Sequence, residues 1–412
     1  VKWSFSPIKK SLRPAVAFLA LLLAVALLRD LLANEQPLRC TVSGHTYYPA
    51  LRSVWAGKDR LWGHSTLDSL QRDHRWRTLA PDSSLFTLIP FSPGEIADVS
   101  ITKPQPPGTP DRLQSPRFRH WLGTDRDGRD VAATLVAGAR VAVLTGLTAM
   151  GMALGVGLLL GVVAGFWGDD RLRVERGRLW LLALGGSLAF AFAFVVGQQR
   201  SAAWALAIFF SILLIFNFLG KILSRAPFFS KRVAVPADLL IMRLAEVFQS
   251  IPRLLLIVAI AGLAPAKDQS IWLMIGLIGA FSWTSVARFV RAELLRVRAL
   301  DFVTAARGLG LPEWRVLWRH ALPNALRPVL VVLALGMANA VLLEATLSFF
   351  GYGREVFKGA SWGSLLTSDQ SGGNQLAYWW VALPPGLAIC LTLLALNALG
   401  EAAADGPQNQ NA

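Results

Sequence analysis

Charge is the first thing this sequence has little of. Asp, Glu, Lys and Arg make up 16% of its 412 residues, against roughly a quarter in soluble domains, which excludes an average soluble enzyme. Cysteine is almost missing. Cys40 and Cys390 lie far apart, the second inside an apolar run, and this excludes a disulfide scaffold or a cysteine metal site. The five histidines form no H-x-x-x-H pair, and no G-x-x-x-x-G-K-[ST] phosphate loop occurs. Neither a metal centre nor ATP binding by this chain itself is therefore expected.

What is present is apolar. Hydrophobic residues make up 54% of the chain, and they gather into long runs. Lys and Arg number 41 against 26 Asp and Glu, a formal charge of +15. The surplus is spread over short segments between the runs, not gathered into one patch with interleaved aromatics, so nucleic-acid binding is not expected. In a membrane protein such a surplus marks loops kept in the cytoplasm.

A hydrocarbon core about 30 Å thick needs roughly 20 apolar residues per helix. Residues 141–168, 179–197, 201–220 and 376–400 each provide an uncharged run of that kind. Residues 14–33, 250–266, 271–287 and 328–350 are nearly as apolar, with Arg29 and Asp30 placed to snorkel or pair. Eight spans are expected, in an all-α polytopic membrane protein. Lys2, Lys9, Lys10 and Arg13 precede the first span without an acid, so the N-terminus is expected inside. Alternation then places 169–178, 221–235 and 288–327 inside, the last with eight Arg against three acids. The alternate loops are nearly neutral, as the positive-inside rule requires. Both termini are expected in the cytoplasm. The first run is read as a retained helix, because Asn34-Glu-Gln-Pro37 is no small-residue cleavage site.

The expected segments are 1–33 (inner N-terminus and first helix), 34–130 (an outer, partly irregular lobe), 131–168 (second helix) and 169–235 (an inserted two-helix hairpin). A core at 236–400 and a tail at 401–412 complete the chain. Gly151, Gly155, Gly157, Gly161 and Gly165 lie mostly four apart and point to close helix packing. Within the loop 288–327, Asp301 is placed to cap a short helix through Leu309. Gly310 is placed for a left-handed turn, and Pro312 opens a second short helix that ends at Pro323. From physics alone, this basic hairpin could merely join two spans. Glu344 is the one carboxylate well inside an apolar stretch, and such a group is costly in lipid. It is read either as lining a pathway, with Ser348 beside it, or as a structural pair.

Ala305-Ala306, Gly310 and Leu322-Pro323 resemble the EAA loop of permease subunits in ABC importers. Leu122-Gly-Thr-Asp-Arg-Asp-Gly-Arg-Asp130, Ala287-Arg-Phe-Val-Arg-Ala-Glu293, Arg319-His-Ala-Leu-Pro-Asn324, Glu344 through Gly353, and Ser361-Trp-Gly363 narrow the resemblance. They are similar to the oligopeptide and dipeptide permeases. The resemblance covers 120–168 and 236–400. His45-Thr-Tyr-Tyr-Pro49 and Ile89-Pro-Phe-Ser92 resemble the microcin-C-type branch more loosely. Three departures stand out: Thr304 replaces the usual Glu, 169–235 adds two helices to a six-span core, and the family's Gly-Asp…Arg-Asp tail is missing after Leu399.

The resemblance implies a type I ABC importer transmembrane domain in the bacterial inner membrane. It implies a second homologous permease, two ATP-binding subunits that hold ATP and Mg, a periplasmic solute-binding protein and a peptide-like substrate. Thr304, Ala305, Ala306, Gly310, His320, Leu322 and Pro323 become the expected contact with an ATPase, and Glu344 and Ser348 a candidate path. No cofactor is expected in this chain. The rival expectation is an ion-driven secondary transporter, which wants paired intramembrane carboxylates or broken helices.

Overall fold

The computed structural model describes residues 12–56, 65–72, 75–79, 84–95, 104–111, 115–169, 173–199, 202–226, 228–229, 231–263, 270–352, 361–368 and 378–404. Lys2, Lys9, Lys10, Arg200, the stretch 264–269 and the end of the tail lie outside them. The chain divides into two units. One comprises residues 1–157, 248–289 and 326–412, the other 158–247 and 290–325.

The first unit begins with α1 (Arg13–Leu27) and the single turn α2 (Arg29–Leu32). Asp30 pairs with Arg140 at 2.8 Å, which realises the expected pairing at the end of the first run. The lobe that follows is mixed in structure. Strands β1 (Arg39–Val42), β2 (His45–Tyr47) and β3 (Ser84–Leu85) form an antiparallel sheet in the order β2-β1-β3. Two short helices, α3 (Pro49–Ala56) and α4 (Ser65–Arg72), accompany it. Cys40, Val42, Leu67 and Trp76 make its small core. Arg77, only 2% exposed, donates to Asp111 at 2.8 Å, to both oxygens of Glu95 and to the Pro90 carbonyl. A buried cation is tolerable only with such partners.

Strands β4 (Thr109–Pro110) and β5 (Arg119–His120) pair next and lead into the Leu122–Asp130 motif. Asp130 ends that motif as the N-cap of α5 (Val131–Val162): its carboxylate accepts from Ala133 N at 2.7 Å and meets His120 Nδ1 at 2.9 Å. The motif is thus a helix-starting device. Helix α5 begins ten residues before the apolar run read from sequence and ends in a π turn at Val163–Trp167.

Helices α8 (Ala237–Ser250), α9 (Arg253–Leu263), α10 (Ile271–Val297) and α13 (Leu322–Phe349) carry the rest of the core, with α14 (Trp362–Ser368) and α15 (Trp379–Ala404). In the first unit Val141, Ala149, Ile257, Ile275, Ile278, Ala340 and Leu347 pack as one cluster. Ala139, Ala142, Val341, Ala345, Trp362 and Ile389 form another. Gly157 abuts Val286, as the packing reading of the small residues expects, whereas Gly151 and Gly155 meet nothing.

In the second unit, α6 (Arg176–Gln199) and α7 (Ala202–Leu223) lie together as the expected hairpin. Strands β6 (Arg173–Glu175) and β7 (Arg232–Ala234) close its neck. Gly185 is pressed against Phe216, and Arg178 donates to Asn217 at 2.7 Å.

The expected apolar runs fold as helices, and the run at 250–266 has a break at its start. Residues 250–266 do not begin an unbroken helix, because the chain breaks at Ile251-Pro252 between α8 and α9. A residue before proline is driven out of the helical region. Among the described residues, four helices are long and apolar enough to cross a bilayer, and five if the broken pair counts as one. The first expected run is helical from Arg13 to Leu32, as α1 and the turn α2 with a break at Leu28.

Candidate functional site

The loop expected to meet an ATPase is an elbow of two short helices inside the second unit. Helix α11 (Asp301–Gly308) starts from Leu300, which holds the extended N-cap conformation without a side-chain cap. Asp301 therefore does not cap, as the sequence reading expected. It stands one residue inside, where a carboxylate favours the helix N-terminus by charge alone. Thr304 turns its hydroxyl back onto the Asp301 carbonyl at 2.9 Å, a local bond that needs no glutamate.

The end of α11 is fixed by a Schellman motif. Gly310 has φ +76, its N–H donates to the Arg307 carbonyl at 2.9 Å, and Leu311 N donates to the Ala306 carbonyl at 3.3 Å. Only a residue without Cβ takes that φ cheaply. Pro312 is the N-cap of α12 (Glu313–Val316), one place earlier than expected. Arg307 bridges the two short helices by pairing with Glu313 at 3.2 Å, and its guanidinium lies 5.5 Å from the Phe166 ring.

The second correction concerns Pro323. The helix does not stop there; it passes through a π turn at Leu317–Ala321 into α13. Leu322 N reaches back five residues to the Leu317 carbonyl, and the widened turn absorbs a proline that cannot donate. The Asn324 side-chain amide donates to the His320 carbonyl at 2.7 Å. Motif Arg319–Asn324 is thus the junction of elbow and span.

Of the expected contact residues, Thr304, Ala305, Gly310 and Pro323 are exposed, and His320 is half-buried. Ala306 and Leu322 are buried in this chain's own fold. The two alanines therefore part company: Ala305 is on the outer face and Ala306 on the inner. Sequence reasoning missed the apolar groups on the outside of the elbow. Leu309 is 81% exposed, and Trp314 and Trp318 are each 59% exposed. Large apolar groups in a charged loop were the available signal. Behind the elbow lies a cleft of about 460 Å³ lined by Trp167, Asp169, Asp238, Arg298 and Arg307, among others. Asp238 is held by the Arg291 guanidinium, and Asp169 accepts from Leu239 N at 3.1 Å.

The other candidate group lies in the first unit. Glu344 is 2% exposed and accepts from Ser348 Oγ at 2.7 Å and Ser361 Oγ at 2.8 Å. The Ser361-Trp-Gly363 motif is wedged beside it. Trp362 Nε1 donates to the Leu135 carbonyl at 2.9 Å, and a Cβ added to Gly363 would lie 1.9 Å from the Ala345 carbonyl. Glu344 and Ser348 are thus brought together as expected, and Ser361 is the partner that sequence reading did not assign. The cluster pins α14 against α5 and α13.

An elbow of two short helices thus feeds a long apolar helix. Residues 226–405 match the family model of the binding-protein-dependent transport system inner membrane component. A relative from Brucella suis, provisionally named a peptide transport system permease protein, is 30% identical over 295 residues, covering 71% of this chain and 75% of its own. The dipeptide transport system permease protein DppC of Alkalihalophilus pseudofirmus is 28% identical over 294 residues, with 71% and 73% covered. The chain belongs to this family, the membrane permeases of peptide ABC importers. It is a multi-pass transporter component and is not itself catalytic.

Proposed function

We propose that the chain forms half of the pathway of an ATP-driven importer for oligopeptides or peptide-like compounds in the bacterial inner membrane. A second homologous permease forms the other half. Two ATP-binding subunits carry ATP and Mg and dock on the inner side, and a periplasmic solute-binding protein delivers cargo outside. Both termini lie in the cytoplasm in this reading. Closure of the ATPase pair pushes on the elbow, and the helices rock between inward and outward access.

The observation that carries this reading is the build of the elbow. The Schellman turn, the Arg307–Glu313 pair and the helical passage from α12 through the π turn into α13 give the elbow a defined shape on which a partner can push. Thr304, Ala305 and Leu309 stand on its outside as the contact surface, while Ala306, Leu322 and Gly310 keep its shape. Glu344 and Ser348 are assigned beside the outer part of the path, where Glu344, accepting from both Ser348 and Ser361, holds α14 in place.

The test separates contact from shape. Ala305→Asp adds a charge on the exposed face, which the fold tolerates and an apolar docking groove does not. Gly310→Val strains the turn by about 1–2 kcal/mol. Both variants are expected to reach the membrane and assemble with the second permease, yet to lose the ATPase in a detergent pull-down. Normal docking by both would reduce the elbow to a connector.

A further inference from the structure

We propose that the neck of the α6–α7 hairpin binds the phosphate-bearing headgroups of anionic lipids. The proposal rests on the membrane reading above and not on the transport cycle.

The two ends of the hairpin are chemically unlike. Arg173, Arg176, Arg178, Lys221, Arg225, Lys231 and Arg232 lie toward the neck with Glu175, just after Asp169 and Asp170, whereas the far tip carries Arg200 alone. The neck ribbon sorts these bases onto two faces. Its register pairs Arg173 with Ala234, Val174 with Val233 and Glu175 with Arg232. Arg176 N donates to the Lys231 carbonyl at 3.0 Å, which extends the ladder by one pair. Because side chains alternate along a strand, Val174, Val233, Arg176 and Lys231 share one face. Glu175 and Arg232 oppose one another on the other face with Arg173.

The first face is amphipathic. Arg176, Lys231 and Val233 are exposed. Phe228 is 67% exposed, and the Arg176 guanidinium lies 5.2 Å from its ring. Trp180, one helical turn on from Arg176, and Phe218 near the end of α7 are 63% and 64% exposed. Valine and aromatic groups of this kind enter the acyl boundary while the bases stay level with the phosphates. A cluster of bases next to a span draws anionic lipid by charge complementarity, and the opposite face is partly neutralised by Glu175. The occupant is therefore the anionic leaflet itself, and a second membrane protein becomes the competing outcome.

The experiment purifies the full chain from membranes, exchanges it through detergent holding equal phosphatidylglycerol and phosphatidylethanolamine, and measures retained lipid by mass spectrometry. Wild type is expected to enrich phosphatidylglycerol. R176Q/K231Q should lower that enrichment by about thirtyfold, the loss of two bases at the strength usual near a charged surface. The charge-preserving R176K/K231R should retain it, and R173Q/R232Q should lose less. Equal enrichment in wild type and R176Q/K231Q would overturn the proposal. So would a wild-type chain that retains no anionic lipid but loses a membrane-protein partner in R176Q/K231Q. Both outcomes leave ATPase docking at the elbow untouched, so failure here does not count against the transport reading.

Discussion

Asp125 sits in the turn that leads into α5, 2% exposed, with its carboxylate accepting from Arg129 N at 2.8 Å. Burial pushes its pKa up to about 6, against the pull of the Arg129 amide and guanidinium. The folded turn therefore binds the proton more tightly than the unfolded chain. Stability is highest below about pH 4 and falls until the pH passes about 6. Lowering the pH from 7 to 5 should lower the local opening constant of the turn by nearly tenfold. Hydrogen exchange of residues 120–130, corrected for intrinsic rates, checks this, and Asp125→Asn should abolish the difference. At this scale the sequence was partly legible. The left-handed Gly310 follows from its place after a short helix. Asp301 looked like a cap because Asp favours caps, but a one-residue shift of the start gave that place to Leu300. Ser361 was hidden as the partner of Glu344 because its bond crosses from a loop to a helix 17 residues earlier.

Elements were easier to find than to end. The long apolar runs gave α5, α7, α10, α13 and α15, since an uncharged run of that length has one stable form in lipid. The break at Ile251-Pro252 and the passage through Pro323 follow opposite rules for the same residue. One proline ends a helix because its predecessor leaves the helical region, and the other is absorbed by a π turn. A single sequence does not tell these apart. The inserted hairpin offers a clean test at this scale. Arg173 and Ala234 are cross-strand partners, so their Cα atoms lie about 5 Å apart and a short linker can replace everything between them. Deletion of 174–233 is expected to leave a chain that still assembles with the second permease in a pull-down. Loss of assembly would place the hairpin in the structural core.

For the whole molecule, composition set the class and motifs set the family. The lobe was the least legible part, because its core is a few residues such as Trp76 and Leu67 and its main clasp, Arg77 with Asp111 and Glu95, joins positions far apart in the chain. The elbow was legible at its glycine turn, which is a local signal, but not at its start or at Pro323. The central claim is that this elbow transmits ATPase closure to the helices. The measurement that tests it most directly is ATP hydrolysis by the complete transporter in proteoliposomes, with and without peptide-loaded binding protein, for wild type and Ala305→Asp. Stimulation is expected in wild type and none in Ala305→Asp. Equal stimulation in both would contradict the account.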